Sequence, residues 1–99
     1  MDFDWDRAKS AKNTRERGLS FELATLLFLK PTLEALDNRQ DYGERRVRAY
    51  GEIAGRVMVC VFTDRHEPGR LLRRIISLRK ANSREARKYN EWIKAEESG

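Results

Sequence analysis

Residues Val57 to Phe62, Val-Met-Val-Cys-Val-Phe, form the longest unbroken apolar run in this chain. Its β-branched residues favour an extended backbone, and a strand that is apolar at consecutive positions has no face to offer to water. Such a strand must lie inside a sheet, with cover on both sides. The rest of the chain therefore has to supply neighbouring strands and the layers that close over them.

The neighbours are legible. Leu33 to Leu36, Arg45 to Tyr50 and Leu71 to Leu78 read as strands beside a central Arg56 to Thr63. Turn chemistry separates them: Asp41-Tyr42-Gly43, the stretch Gly51 to Gly55, and His66-Glu67-Pro68-Gly69. Together they predict a four-stranded antiparallel meander.

Phe3-Asp4-Trp5 reads as a short edge strand or an anchor. Asp6 to Arg17 has the composition of a mostly charged helix that Gly18 can end. Ser20 offers a cap for a second helix, with Leu23, Ala24, Leu27 and Phe28 on one face and Pro31 as its stop. A last helix starts near Asn82, where Asn82-Ser83-Arg84-Glu85 resembles a capping box and Ala86, Tyr89 and Ile93 share a face.

No repeat or linker interrupts the 99 residues, so residues 1–99 form one domain. The fold class is α+β, with two N-terminal helices, a four-stranded antiparallel sheet and a C-terminal helix. Helices cover one sheet face and only partly cover the other.

Charge is distributed unevenly. Residues 1–44 carry seven basic and nine acidic side chains, net −2, whereas residues 45–99 carry fourteen and seven, net +7. The excess is mostly arginine, whose planar fork matches phosphate, so the expected partner is a polyanion, nucleic acid before membrane. Arg46, Arg48 and Tyr50 alternate along one side of a strand, and by the same period of two Arg73, Ser77 and Arg79 share a side, with Arg74 on the other.

The single cysteine, Cys60, lies in the apolar run without a disulfide partner, which fits a reducing compartment and an inert thiol. Met1-Asp2-Phe3-Asp4 does not open like a signal peptide and no apolar run approaches about 20 residues, so the expected location is the cytoplasm, away from membranes.

Phe3-Asp4-Trp5-Asp6 with Lys9 and Asn13, and then Gly18-Leu19-Ser20-Phe21-Glu22 with Ala24, are similar to the first two motifs of the BrnT family, which the chain resembles in its order of landmarks. Asp41-Tyr42-Gly43-Glu44 with Arg46 and Gly51 looks like that family's central landmarks, and Val59 to Arg65 like a strand ending in Thr-x-Arg. The fullest match is Arg74-Ile75-Ile76-Ser77-Leu78-Arg79-Lys80-Ala81-Asn82, followed by Glu85 and Tyr89.

The resemblance implies a RelE-like ribonuclease fold, a type II toxin that cleaves RNA and arrests translation, and a BrnA-like antitoxin with a ribbon-helix-helix DNA-binding end. Arg17 departs from the family, which commonly has histidine before the glycine.

Cleavage of RNA by its own 2′-hydroxyl needs a base, stabilisation of charge on the phosphorane, and a proton for the departing 5′-oxygen. Arginine stays protonated, so Arg65, Arg74 and Arg79 suit the phosphate and not the base. The base would come from Glu44, Glu52 or a depressed lysine, Lys9 or Lys80, with Glu44 ranked first.

The expected catalytic set is Arg65, Arg79, Glu44 and Lys9, with RNA contacts from Arg46, Arg48, Arg74 and Lys80. His66 sits in a turn outside the motifs and is read as a solvated loop residue. Tyr89 is read as core, Trp5 as packing for the first helix, Trp92 as a partly exposed antitoxin contact, and Lys94 to Gly99 as a fraying tail. No Cys, His and carboxylate set has metal-ligand spacing and no phosphate loop or dinucleotide motif is present, so no cofactor is expected. The competing expectation is a non-catalytic module that binds nucleic acid or antitoxin as a corepressor.

Overall fold

The computed structural model describes residues 1–99. In chain order the elements are β1 (Asp2–Trp5), α1 (Arg7–Arg17), a 3₁₀ turn (Phe21–Leu23), α2 (Ala24–Leu27), β2 (Leu33–Leu36), β3 (Val47–Ile53), β4 (Arg56–Glu67), β5 (Arg70–Lys80) and α3 (Ser83–Ser98). The expected meander is present as β2 to β5, with the apolar β4 between β3 and β5.

The sheet, however, is five-stranded and mixed, in the order β1-β5-β4-β3-β2, because β1 joins β5 in parallel. Four residues are too few to show a period, and the pairing joins residues 70 positions apart, so local pattern carries no trace of it. Asp4 lies opposite Arg74 in this register and bonds it at 2.8 Å.

The β4–β5 hairpin also runs further than expected, through Asp64 to Glu67. Only Pro68 and Gly69 form its turn, and the charged strand ends are matched across the ladder, Asp64 with Arg73. Between β3 and β4 the turn shrinks to Ala54 and Gly55, both at positive φ, the geometry of a two-residue hairpin. Gly51 belongs to β3 and not to that turn. A β-carbon there would stand 2.7 Å from Leu27 Cγ, so the glycine lets α2 settle on the sheet.

The second helix is shorter than its apolar stripe suggested. Its buried residues Phe21, Ala24 and Leu27 recur every third position, a spacing that 3₁₀ winding aligns on one side, and the segment divides into a 3₁₀ turn and one α-helical turn. Helix α1, with little apolar surface, docks by polar anchors. Asn13 Nδ2 donates to the carbonyls of Leu19 (2.8 Å) and Leu78 (2.9 Å), and Ser10 Oγ accepts from the Phe21 amide (2.9 Å).

The main core lies between these helices and one sheet face: Phe21, Ala24, Leu27, Ala49, Ile53, Met58, Cys60, Phe62, Ile75 and Leu78, with Phe3 and Trp5 packed against it. Cys60 is fully buried, and burial pushes its thiol up to about 12. Val59, Val61, Leu72 and Tyr89 are buried outside that cluster. Helix α3 extends to Ser98 through the tail expected to fray, with the Asn82–Glu85 capping box formed and Tyr89 2% exposed.

Candidate nucleic-acid interface

Residues directly opposite one another in a sheet point to the same face, so the register assigns each side chain. Ala49, Cys60 and Leu78 define the helix-packed face. On the other face Tyr50, Val59 and Arg79 form one row, Arg48, Val61 and Ser77 the next, and Thr63, Arg74 and Asp4 the one after. Arg65, opposite Leu72, ends the series.

A bulge alters which β5 arginine takes part. Val61 pairs with Ser77 but Phe62 pairs with Ile75, so Ile76 is an extra residue and the alternation changes parity there. Arg74, expected opposite in facing to Arg79, therefore shares its face. Arg73, expected beside Ser77 and Arg79, turns to the helix side, where it grips Asp64 through Nε (2.8 Å) and Nη2 (2.9 Å) and lies 3.9 Å from the Phe62 ring centroid.

The sequence-selected residues fall into different places. Arg79 donates from Nη1 and Nη2 to the Glu85 carboxylate at 2.8 and 2.9 Å. The hydrogen bonds from Arg79, joined by the Asn82 amide and the charges of Arg79 and Arg48, outweigh desolvation and hold the Glu85 carboxyl down at about 2. Arg74 is paired with Asp4. Arg46 donates from Nε to Glu44 at 3.1 Å and lies over the Tyr42 ring, so this expected base and this expected RNA contact hold each other in the loop before β3.

Arg65 is exposed, and the two acids beside it in sequence serve other arginines, Asp64 binding Arg73 and Glu67 binding Arg70. Lys80 is not brought to the arginine face, being opposite Met58 on the helix-packed side. Lys9 is exposed on α1 and shares a shallow cleft with Ile76 and Ser77 of β5. Glu52 pairs with Lys30 at 3.1 Å beside Tyr89 and Ile93. His66 is exposed near the end of β4, and Arg17 reaches the Leu78 carbonyl at 3.4 Å.

Arg48 differs from these. It is half-buried near the middle of the face, and its Nε is shut off from solvent without a hydrogen-bond partner. Its charge favours ionisation of Asp37 and Glu85, yet both acids are already occupied. Asp37, 4% exposed, accepts from Arg39 Nε (2.7 Å) and Nη2 (2.9 Å) and from the Tyr42 hydroxyl (3.4 Å). A cation so placed, with its carboxylates taken, suits an incoming anion.

Sequence reasoning missed Asp37, Arg39 and Tyr42 as a set, because nothing in spacing ties them to Arg48. Glu85 was visible as a cap and as part of the family resemblance, but not as the partner of Arg79. No three or more His, Cys, Asp or Glu side chains are grouped to hold a metal ion, and no helix is long and apolar enough to cross a membrane.

No curated protein matches the chain in sequence. A family model described as "Ribonuclease toxin, BrnT, of type II toxin-antitoxin system" matches residues 5–85, a span that contains Arg48, Arg65, Arg74, Arg79 and Glu85. By that match over most of its length, the chain belongs to the BrnT family of ribonuclease toxins of type II toxin–antitoxin systems.

Proposed function

We propose that this toxin cleaves RNA by attack of the substrate's own 2′-hydroxyl, without a metal ion, on the sheet face centred on Arg48. The observation that carries the reading is the half-buried Arg48 guanidinium with no hydrogen-bond partner at Nε. Family membership supplies the substrate class.

In this reading a base takes the 2′-proton, the 2′-oxygen bonds to phosphorus, and the bond from phosphorus to the 5′-oxygen breaks as that oxygen gains a proton. The products are a 2′,3′-cyclic phosphate and a 5′-hydroxyl. Arg48, Arg79 and Arg65 bind the phosphate oxygens as negative charge builds on them. Glu44 is the candidate base, since only one of its oxygens is bonded to Arg46. Arg46 and Arg74 extend the cationic track for flanking phosphates.

Translation stops because messenger RNA is cut, and a BrnA-like antitoxin neutralises the toxin by covering this face in the cytoplasm. A non-catalytic corepressor is the second reading. It draws on the carboxylate partners that Arg46, Arg74 and Arg79 already have.

The test is incubation of the purified chain with defined single-stranded RNA, and with messenger RNA on ribosomes, in EDTA where the substrate permits, beside folded Arg48→Ala and Arg79→Ala variants. Cleavage by the native chain alone, ending in 2′,3′-cyclic phosphate, is the expected result. Salt-sensitive binding with intact RNA in both substrates favours the corepressor.

A further inference from the structure

Within the ribonuclease reading, on which this inference rests, we propose that Glu85 is a positioning residue. It holds Arg79 by the end of its fork and so keeps the side edge of the guanidinium available for the scissile phosphate.

Guanidinium has two edges that can grip an oxyanion with two parallel hydrogen bonds, the Nη1/Nη2 end and the Nε/Nη2 side. Arg39 grips Asp37, and Arg73 grips Asp64, with the side edge. Arg79 uses its end on Glu85, and its remaining bond runs from Nη1 to the Lys80 carbonyl at 3.3 Å. Nε, with the second hydrogen on Nη2, is left without a protein partner. That edge is the one the other two arginines spend on a carboxylate.

Glu85 is itself fixed. Its Oε1 accepts from the Asn82 amide at 2.9 Å, while its own amide donates to Asn82 Oδ1 at 2.8 Å. Tyr89, one helical turn on, is buried and ties α3 down. The carboxylate is thus a rigid support, and Arg79 loses little freedom when it takes a second anion.

Arg79 and Arg48 also lie in adjacent rows, one on each side of β4. Two strand spacings of about 4.8 Å and one row of about 7 Å separate their backbones. One phosphate can meet both side chains above Val59 and Val61.

A rival role is purely structural, with Glu85 clasping α3 to β5. Steady-state kinetics on Glu85→Ala, Glu85→Gln, Asn82→Ala and the double variant Arg79→Ala/Glu85→Ala separate the two. Loss of a supporting group of this kind costs on the order of 10- to 100-fold. Glu85→Ala is expected to lose that much in kcat with KM changed less than about threefold, and Glu85→Gln, which keeps an acceptor, to recover part of it.

Asn82→Ala removes only the side-chain acceptor of the Glu85 backbone amide and leaves the Asn82 backbone N–H that holds the Glu85 carboxylate, so it is expected to lower Tm like Glu85→Ala while keeping kcat. The double variant is expected to be no slower than Arg79→Ala alone. A Glu85→Ala enzyme that keeps native or higher kcat overturns the proposal, as does an Asn82→Ala variant that loses kcat equally. If the native chain cuts neither free nor ribosome-bound RNA, the ribonuclease reading itself falls and takes this inference with it.

Discussion

Arg48 holds its guanidinium half out of water without a hydrogen bond at Nε. Desolvated cations without partners weaken a fold, so a chain that retains one does so for a ligand or against its own stability. Replacing it by methionine should leave Tm unchanged or raise it while RNA cleavage falls about 100- to 1000-fold, the loss typical of one positioned donor. Lysine, which keeps the charge but not the flat two-pronged geometry, should fall between the two. Melting curves and cleavage rates on the same preparations check this, and a lower Tm with full activity would remove Arg48 from the site. Arg48, Tyr50 and Arg79 were readable because β3 and the end of β5 alternate regularly. Arg73 and Arg74 exchanged faces because one extra residue, Ile76, reverses parity in a way that period-two reading does not detect. The pairing of Glu85 with Arg79 was concealed by its second task, since a capping box already accounts for a glutamate at that position.

At the scale of elements, strong local signals survived and long-range ones did not. The apolar β4, its antiparallel neighbours and the capped α3 all stand where composition and turn chemistry put them. β1 was readable as an edge, but not as the parallel partner of a strand close to 70 residues away. The second helix lost most of its length to 3₁₀ winding over the core. The attachment of α3 carries a pH prediction. Glu85 has its folded pKa depressed from 4.5 to about 2, chiefly by hydrogen bonds from Arg79. The unfolded chain therefore binds more protons in that window, so the stabilisation is complete above pH 4.5 and is lost as pH falls toward 2. Glu85→Gln should be less stable than the native chain at neutral pH, and the two stability curves should converge toward pH 2. Curves that stay parallel would show that the pair does not hold α3 to the sheet.

The whole molecule has a net charge of +5, yet six of its fifteen arginines are already held by carboxylates. Arg39, Arg46, Arg70, Arg73, Arg74 and Arg79 each have a carboxylate partner. A paired cation brings no condensed counterion off the RNA without giving up its own partner, so formal charge overstates the electrostatic grip. With Arg48, Arg65 and one or two shared arginines in contact, about three or four phosphates are neutralised, and each contributes about −0.7 to the slope of log affinity against log salt for a single strand. A slope near −2 to −3 follows, much shallower than a fully engaged basic half would give. Removing Arg48 should reduce it by about 0.7, because that side chain has no carboxylate to return to. Removing Arg70, which is held by Glu67 and Asp2 at the far end of the hairpin, should leave it unchanged. Anisotropy titrations of a 2′-O-methyl RNA, which cannot supply the attacking hydroxyl, measure this apart from cleavage. An Arg48→Ala slope equal to the native one would place the RNA on some other surface, whereas a reduced slope with Arg70→Ala unaltered would fix the track to the sheet face.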